Sequence, residues 1–167
     1  MKREAVFDSS TAILLAKVQL LGIAAERLNI CFSEAVKDET TNKDTFDSKL
    51  IIKLINENKI KVVKANQSNV NALIEDFNIE KGEAESIEIA SAKKCILATD
   101  DGPCIKSCRI LGIKFATAIH FLISFYEKKL VEKEIVLEKL RLLEKYGRYG
   151  YDILKDAKNT IEGEKHG

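Results

Sequence analysis

Acidic side chains recur at four places in this 167-residue chain, each where a predicted strand ends or a predicted helix begins. They are Asp8, Glu39, the pair Glu83 and Glu85, and the pair Asp100 and Asp101. Because the carboxyl ends of parallel strands share one edge of a sheet, we expect these acids to converge there. Converging carboxylates repel each other unless a cation joins them. Oxygen ligands without histidine favour Mg²⁺ or Mn²⁺ over zinc, and two such ions would form the clamp used in phosphodiester cleavage.

Each acid taken alone has a simpler structural explanation. Asp8 precedes a Ser-Ser-Thr run and is a good N-cap for the first helix. The glutamate pair stands in the first turn of a helix, where the macrodipole favours negative charge. Glu39 is explained as an exposed glutamate on a helix, and the neighbouring Asp38 is the alternative for the more buried acid at this place. The aspartate pair is the most specific signal, because it follows an apolar strand, and together the four positions favour a shared cation site.

Short strands alternate with helices along the first part of the chain. The predicted strands are Ala5 to Asp8, Leu28 to Phe32, Ile60 to Ala65, Cys95 to Thr99 and Ile113 to Ala116. Gly22 is predicted to end the first helix, and Gly112 a later one. This alternation predicts an α/β fold, a three-layer sandwich with a central parallel sheet of about four or five strands.

The chain from Val131 onward is predicted to be helical and highly charged, with a break at residues 146–152. We assign residues 1–130 to one domain and residues 131–162 to a C-terminal helical extension of the same unit, with a frayed end after it. Its apolar residues exceed one narrow stripe, which predicts a packing or dimerisation element. They are Ile135, Leu137, Leu140, Leu142, Leu143, Ile153 and Leu154.

The composition is that of an ordinary soluble protein, and it limits the function classes. A net charge of +1 and a pI near 7.6 argue against a strongly electrostatic nucleic-acid binder. No apolar run approaches the ~20 residues that cross a bilayer, so we expect a cytoplasmic protein without a membrane partner. The four cysteines are too unevenly spaced for a disulfide framework and are assigned to the core.

The order and spacing of these motifs resemble the PIN domain nucleases, named for the PilT N-terminus. The matching segments are Val6-Phe7-Asp8-Ser9-Ser10, Val36 to Glu39, Gly82-Glu83-Ala84-Glu85, Thr99-Asp100-Asp101 and Leu111 to Ile113. The resemblance covers nearly the whole chain and is closest to a largely prokaryotic branch with Gly-Glu-Ala-Glu and Asp-Asp motifs. It implies a PIN-like fold for the predicted sheet and helices.

The resemblance also implies roles for individual residues. Catalytic, metal-binding acids are expected at Asp8, Glu39, Glu85 and Asp101, with Glu83 and Asp100 as further metal ligands and Ser9, Ser10 or Thr99 as polar supports. The chain departs from the family at three points. Most relatives have Asp in the place of Glu85, so that Glu83 is an alternative ligand; Ser33 replaces a proline; and Gly102-Pro103 replaces polar or basic residues.

The implied activity is that of a Mg²⁺- or Mn²⁺-dependent endoribonuclease that cleaves single-stranded RNA with metal-activated water. The implied biology is a toxin with an antitoxin partner, often as a homodimer. The alternative is a non-catalytic PIN-like module that binds RNA or protein. No side-chain base is expected near the acids, since His120 lies past the last strand and His166 in the tail. Candidate phosphate contacts are Lys49, Lys53, Lys106, Arg109 and Lys114.

Overall fold

A five-stranded parallel sheet forms the centre of the computed structural model, which describes residues 1–163. The strands are β1 (Arg3–Phe7), β2 (Leu28–Ser33), β3 (Ile60–Val63), β4 (Ile96–Ala98) and β5 (Phe115–Ala116). They are ordered β3-β2-β1-β4-β5, and helices flank them. The predicted α/β fold with a central parallel sheet and C-terminal helices is therefore confirmed.

The described residues fall into two compact units, one covering Met1–Ala116 and the other beginning at Thr117. The first unit contains the sheet and the helices α1 (Ser9–Lys17), α2 (Leu21–Arg27), α3 (Glu34–Thr41), α4 (Phe46–Asn56), α5 (Gln67–Phe77), α6 (Lys81–Lys93) and α7 (Gly102–Leu111). The second contains α8 (Ala118–Glu127), α9 (Lys133–Tyr146) and α10 (Tyr151–Glu162). The sequence-based boundary after residue 130 stays a prediction.

The centre of the sheet determines where the acids of β1 and β4 meet. Val6 and Phe7 of β1 and Leu97 and Ala98 of β4 are fully buried, as expected for strands covered on both faces. Phe7 pairs with Ala98, and the backbone N–H of Asp8 donates to the Ala98 carbonyl at 2.9 Å. The residues that follow the two strands therefore leave the sheet side by side at its carboxyl edge.

The first helix ends earlier than the sequence predicts. α1 stops at Lys17, Gln19 takes a left-handed φ of 62°, and Gly22 lies inside α2 rather than at a helix end. Leu20 and Leu21 are buried at this bend. We attribute the helix break to the burial of these two leucines rather than to the glycine. The expectation for Gly112 was correct: it ends α7 with a φ of 72°.

No single helix of residues 1–163 has the length and apolar character to cross a membrane. The helices α1 and α2 meet that criterion only when they are taken as a pair, and they are bent by 116° with respect to each other.

The second unit packs its three helices through an apolar set on α8, α9 and α10. Its buried members on the last two helices are Val136, Leu140, Leu143, Ala157 and Ile161. The predicted break is present, since α9 ends at Tyr146 and α10 begins at Tyr151. The predicted frayed end and His166 lie outside the described residues, apart from Gly163, which ends α10.

The cysteines belong to the core, as the sequence predicts. Cys31, Cys104 and Cys108 are buried, Cys95 is half-buried, and all four are free thiols. Cys104 and Cys108 lie one turn apart on α7 within the apolar cluster between the sheet and its helices. Both are side chains of the apolar core.

Candidate functional site

Asp8 is buried at the carboxyl end of β1, with only 4% of its surface exposed. One oxygen, Oδ1, accepts from the Ser9 N–H at 2.8 Å and caps α1. The other, Oδ2, accepts from the hydroxyls of Ser10 at 3.1 Å and Thr99 at 2.9 Å. Burial raises the pKa of Asp8, these three hydrogen bonds lower it, and the charge of Asp101 raises it further. Asp8 is therefore an N-cap, and it also faces a second carboxylate.

Asp101 follows β4 and begins the neighbouring helix. Its Oδ2 accepts from the Cys104 N–H at 3.0 Å, which caps α7. Its own N–H donates to the Thr99 hydroxyl at 3.2 Å, and the same hydroxyl donates to Asp8. Thr99 thus links the two aspartates and holds them at adjacent helix N-termini, where backbone N–H groups favour negative charge.

Asp100 is oriented differently from Asp101. Its N–H donates to the Ser10 hydroxyl at 2.9 Å, and its carboxylate accepts a hydrogen bond from the Thr11 hydroxyl. Both contacts tie Asp100 to the first turn of α1. Of the aspartate pair, Asp101 is the one whose charge raises the pKa of Asp8.

Glu83 lies in the first turn of α6 and contacts Asp101. Its Oε1 accepts from the Glu80 N–H at 3.2 Å as part of a capping box. Burial raises the pKa of Glu83 to about 7, against the lowering effect of the Glu80 N–H; the charges of Asp101 and Asp8 and a hydrogen bond with Asp101 raise it further. The Glu83 carboxyl therefore gains or loses its proton near neutral pH.

Glu85 is the other glutamate of the pair, and it is turned towards α3 and α5. It is 3% exposed, Oε1 accepts from the Ala35 N–H at 3.0 Å, and Oε2 accepts from the Gln67 amide at 3.1 Å. These contacts satisfy an N–H at the start of α3 and connect that helix to the start of α5. Sequence reasoning left the choice between the glutamates open, and in the structure Glu83 is the one hydrogen-bonded to Asp101.

Glu39 interacts with Asp8 and also with Glu80 and Glu85. It projects from α3 so that its Oε1 lies over Gly82, where a Cβ would clash with it. Burial raises the pKa of Glu39, the charge of Asp8 raises it further, the nearby Ser9 hydroxyl lowers it, and Glu80 and Glu85 raise it again. A glycine at position 82 therefore leaves room for the Glu39 carboxylate beside the start of α6. Electrostatic interactions thus connect Glu39 to Asp8 and Glu85, and Asp8 and Asp101 to Glu83, whereas Asp100 is held against α1.

An unsatisfied polar atom lies near Glu39. Within residues 1–163, Ser9 Oγ is the one buried side-chain oxygen or nitrogen without a hydrogen-bond partner. It is near enough to Glu39 to favour the charged carboxylate, yet it lies outside hydrogen-bond geometry. A buried polar atom without a partner is rare, and a polar ligand would satisfy it.

The donor set suits a hard divalent cation that keeps much of its water. The ion pairs of the described residues join Lys49 to Asp44, Lys59 to Glu57 and Lys93 to Glu4, so none contains Asp8, Glu83 or Asp101. As the side chains of residues 1–163 stand, no three His, Cys, Asp or Glu could jointly ligate one ion. Mg²⁺ is typically bound by one or two carboxylates and several waters. Asp8 and Asp101, with the Ser9 hydroxyl, fit that pattern.

The remaining candidates have other contacts. Lys49 pairs with Asp44 at 3.1 Å, and the Arg109 guanidinium stacks on the Phe115 ring at 5.4 Å. His120 belongs to the second unit, where its Nδ1 accepts from the Thr117 N–H at 3.0 Å and caps α8. Two residues were missed by the sequence analysis: Glu80, whose three-residue spacing from Glu83 is a recognisable capping signal, and Gln67, for which the sequence gives no signal.

Comparison with known proteins places this geometry in a family. A family model described as a PIN domain matches residues 4–157. The structure resembles that of PAE2754 from Pyrobaculum aerophilum, with 14% identity, 76% of this chain and 99% of that chain covered, and a TM-score of 0.52. It also resembles a chain in the structure of VapBC2 from Rickettsia felis bound to a DNA fragment from the VapBC2 promoter. The identity is 15%, 68% of this chain and 98% of that chain are covered, and the TM-score is 0.48. No curated protein sequence matched the chain. The match over nearly its whole length shows that the chain belongs to the PIN-domain family.

Proposed function

We propose that this protein is a Mg²⁺- or Mn²⁺-dependent endoribonuclease that cleaves single-stranded RNA. The observation that carries the proposal is the proximity of the buried or half-buried carboxyls of Asp8, Glu83 and Asp101. The charge of Asp101 raises the pKa of Asp8, and the charges of Asp101 and Asp8 raise the pKa of Glu83. Like charges held together away from water destabilise a protein unless a cation neutralises them. Such groups are therefore typical of functional sites. Membership of the PIN-domain family, whose members are generally nucleases, supports the same activity.

The residues divide the work in a definite way. Asp8 and Asp101 are held by helix N–H groups and by Thr99, so they present fixed oxygens to a cation. A bound Mg²⁺ or Mn²⁺ supplies activation of water and neutralisation of the phosphate charge. Glu83, with a pKa of about 7, takes up or releases a proton near neutral pH, and Ser9 Oγ offers an unused donor. Glu39 completes the acidic wall from α3.

Cleavage of a labelled single-stranded RNA oligonucleotide tests this proposal. We expect cutting with Mg²⁺ or Mn²⁺, none with EDTA, and loss of at least a hundredfold in rate for Asp101→Asn, because asparagine preserves the cap of α7 but removes the charge. Asp44→Asn is the matched control, since Asp44 forms an exposed ion pair with Lys49. Cutting that is unchanged by EDTA or by Asp101→Asn contradicts the proposal.

A second candidate is a non-catalytic module that binds RNA or protein. Two observations favour it: Glu85 is fully used in hydrogen bonds to Ala35 and Gln67, and no three acids of the described residues are arranged to ligate one ion directly. This candidate predicts RNA binding without cutting under any divalent metal. The cleavage experiment therefore separates the two.

We extend the proposal to biology: the protein acts in the cytoplasm as the toxin of a toxin–antitoxin pair. Membership of the PIN-domain family supports this extension. Expression of the wild-type chain should arrest growth, Asp101→Asn should not, and co-expression of the neighbouring gene's product should relieve the arrest. Equal growth with both variants contradicts it.

A further inference from the structure

Gly82 is a helical glycine that the backbone conformation does not require. It is buried in the first turn of α6, its φ lies outside the left-handed region, and its carbonyl accepts from the Ser86 hydroxyl at 2.8 Å. Alanine is favoured over glycine inside a helix, because glycine loses more backbone freedom on folding. The glycine therefore has another explanation, which lies in the space around it.

The space over Gly82 is occupied by the carboxylate of Glu39, which reaches it from α3. If position 82 carried a Cβ, its three nearest atoms would all belong to that carboxylate, with Cδ at 3.1 Å, Oε2 at 3.5 Å and Oε1 closer than either. Carbon atoms pack best at about 3.5–4.0 Å, so a methyl group and this carboxylate cannot both stay in place. The end of the Glu39 side chain is the flexible partner and would be displaced.

The observed position of the Glu39 carboxylate is unfavourable in the absence of a cation. Burial raises the pKa of Glu39, and the charges of Asp8, Glu80 and Glu85 raise it further, against the lowering effect of the Ser9 hydroxyl. The ion pairs of residues 1–163 do not include Glu39, and the residue is exposed overall, so its carboxylate could face water instead. A cation bound near Asp8 would favour the position that the carboxylate occupies.

We propose that Gly82 is a positioning residue: the absence of a side chain there lets the Glu39 carboxylate stand beside Asp8, where its charge strengthens the binding of a divalent cation. This inference rests on the proposed function, because the cation is that of the same site. Gly82 contacts neither the cation nor RNA in this account, since it acts through Glu39. The effect of a substitution at Gly82 should therefore disappear when Glu39 is absent.

Binding of Mn²⁺ alone, followed by the electron paramagnetic resonance signal of the free ion, tests the inference without RNA. We expect Gly82→Ala to weaken Mn²⁺ binding by about tenfold, as is typical when a group that orients a metal site is lost. Glu39→Ala should have a similar effect, and the double variant should bind Mn²⁺ as Glu39→Ala does. Two independent effects would instead multiply to about a hundredfold.

Gly22→Ala is the matched control. Gly22 also lies inside a helix, α2, and a Cβ there would have no atom within 4 Å. This variant should bind Mn²⁺ as wild type does. Gly82→Ala that binds Mn²⁺ as tightly as wild type, or that weakens binding equally with and without Glu39, would overturn the inference.

Melting temperatures in EDTA distinguish a positioning role from a structural one. Gly82→Ala should melt no lower than wild type, because alanine favours the helix and the displaced Glu39 carboxylate can turn to water. If Gly82→Ala unfolds the protein even in the Glu39→Ala background, the glycine is needed for folding and the inference is wrong.

The same measurements separate this inference from the proposed function. If wild-type protein binds Mn²⁺ and the double variant behaves as expected but no RNA is cut, the endoribonuclease proposal is overturned and the role of Gly82 stands. If wild-type protein cuts RNA and Gly82→Ala binds Mn²⁺ as wild type does, only the role of Gly82 is overturned. Wild-type protein that binds no Mn²⁺ overturns both.

Discussion

The carboxyl of Glu83, in the first turn of α6, shares a hydrogen bond with the carboxyl of Asp101 at the start of α7. Two carboxyls can share such a bond only when one is protonated, and burial with the nearby Asp8 charge raises the pKa of Glu83 to about 7. The contact makes the metal-free protein sensitive to pH near neutrality. It also identifies Glu83 as the member of the glutamate pair that interacts with Asp101 and Asp8.

The first prediction is that metal-free protein loses stability as pH rises from about 4.5 to about 7. The folded state binds the Glu83 proton more tightly than the unfolded state does, so its contribution is complete below pH 4.5 and lost above pH 7. Melting temperatures in EDTA across this range measure the loss. Glu83→Gln should flatten the profile, Glu138→Gln on α9 should not, and stability that increases across the window contradicts the assignment.

The second prediction is that Mg²⁺ or Mn²⁺ raises the melting temperature and that EDTA reverses the rise, because a cation relieves carboxylate repulsion. Each kcal/mol of binding stabilisation should raise it by about 2–4 °C. Asp101→Asn should abolish most of this response and should melt higher than wild type without metal, since one repelling charge is gone. An Asp101→Asn protein that fails to fold would show that the residue is structural instead.

The third prediction separates the roles of Glu83 and Glu85. Glu85→Ala should lower the free energy of unfolding by about 1–3 kcal/mol, because it leaves the Ala35 N–H and the Gln67 amide without their acceptor. Glu83→Gln should keep the stability of metal-free protein near neutral pH but abolish cleavage. Chemical denaturation and cleavage assays on both variants measure this. The reverse pattern would make Glu85 the functional glutamate.

The fourth prediction concerns the C-terminal helices, which we expect to mediate a homodimer. Tyr151 and Ile153 at the start of α10 are 76% and 53% exposed, and Ile135 on α9 is 44% exposed. Exposed apolar side chains that form one patch mark a surface for association. Light scattering should give the mass of a dimer for wild type and of a monomer for Ile153→Lys. A wild-type monomer rules out this role.

The meeting of the acids could be predicted from the sequence because strand order and parallel direction bring Asp8 and Asp101 together. The sequence shows both residues directly after apolar strands, and β1 and β4 pair in the sheet. The choice between Glu83 and Glu85 could not be predicted, since residues two apart on a helix point about 200° apart and the rotation of α6 depends on tertiary packing. In the structure, Gly82 lies against the Glu39 carboxylate, where any larger residue would clash.

Other features depended on packing that no local pattern reveals. The break between α1 and α2 follows from the burial of Leu20 and Leu21, whereas glycine propensity pointed to Gly22. The contact between Glu85 and Gln67 joins two helices across sequence. Local signals nevertheless identified the cap correctly at Asp8, whose carboxylate accepts from the Ser9 N–H at 2.8 Å.

The chemical identity of the cleaved ends tests the central claim most directly. If water attacks phosphorus with help from a cation held by Asp8 and Asp101, the products carry 5′-phosphate and 3′-hydroxyl ends, and the cut needs no 2′-hydroxyl at that nucleotide. An RNA oligonucleotide with a single 2′-deoxy residue at the cleavage position, digested in Mn²⁺ and analysed by mass spectrometry, should give these ends at an undiminished rate. A 2′,3′-cyclic phosphate product, or cleavage abolished by the deoxy substitution, would contradict the account.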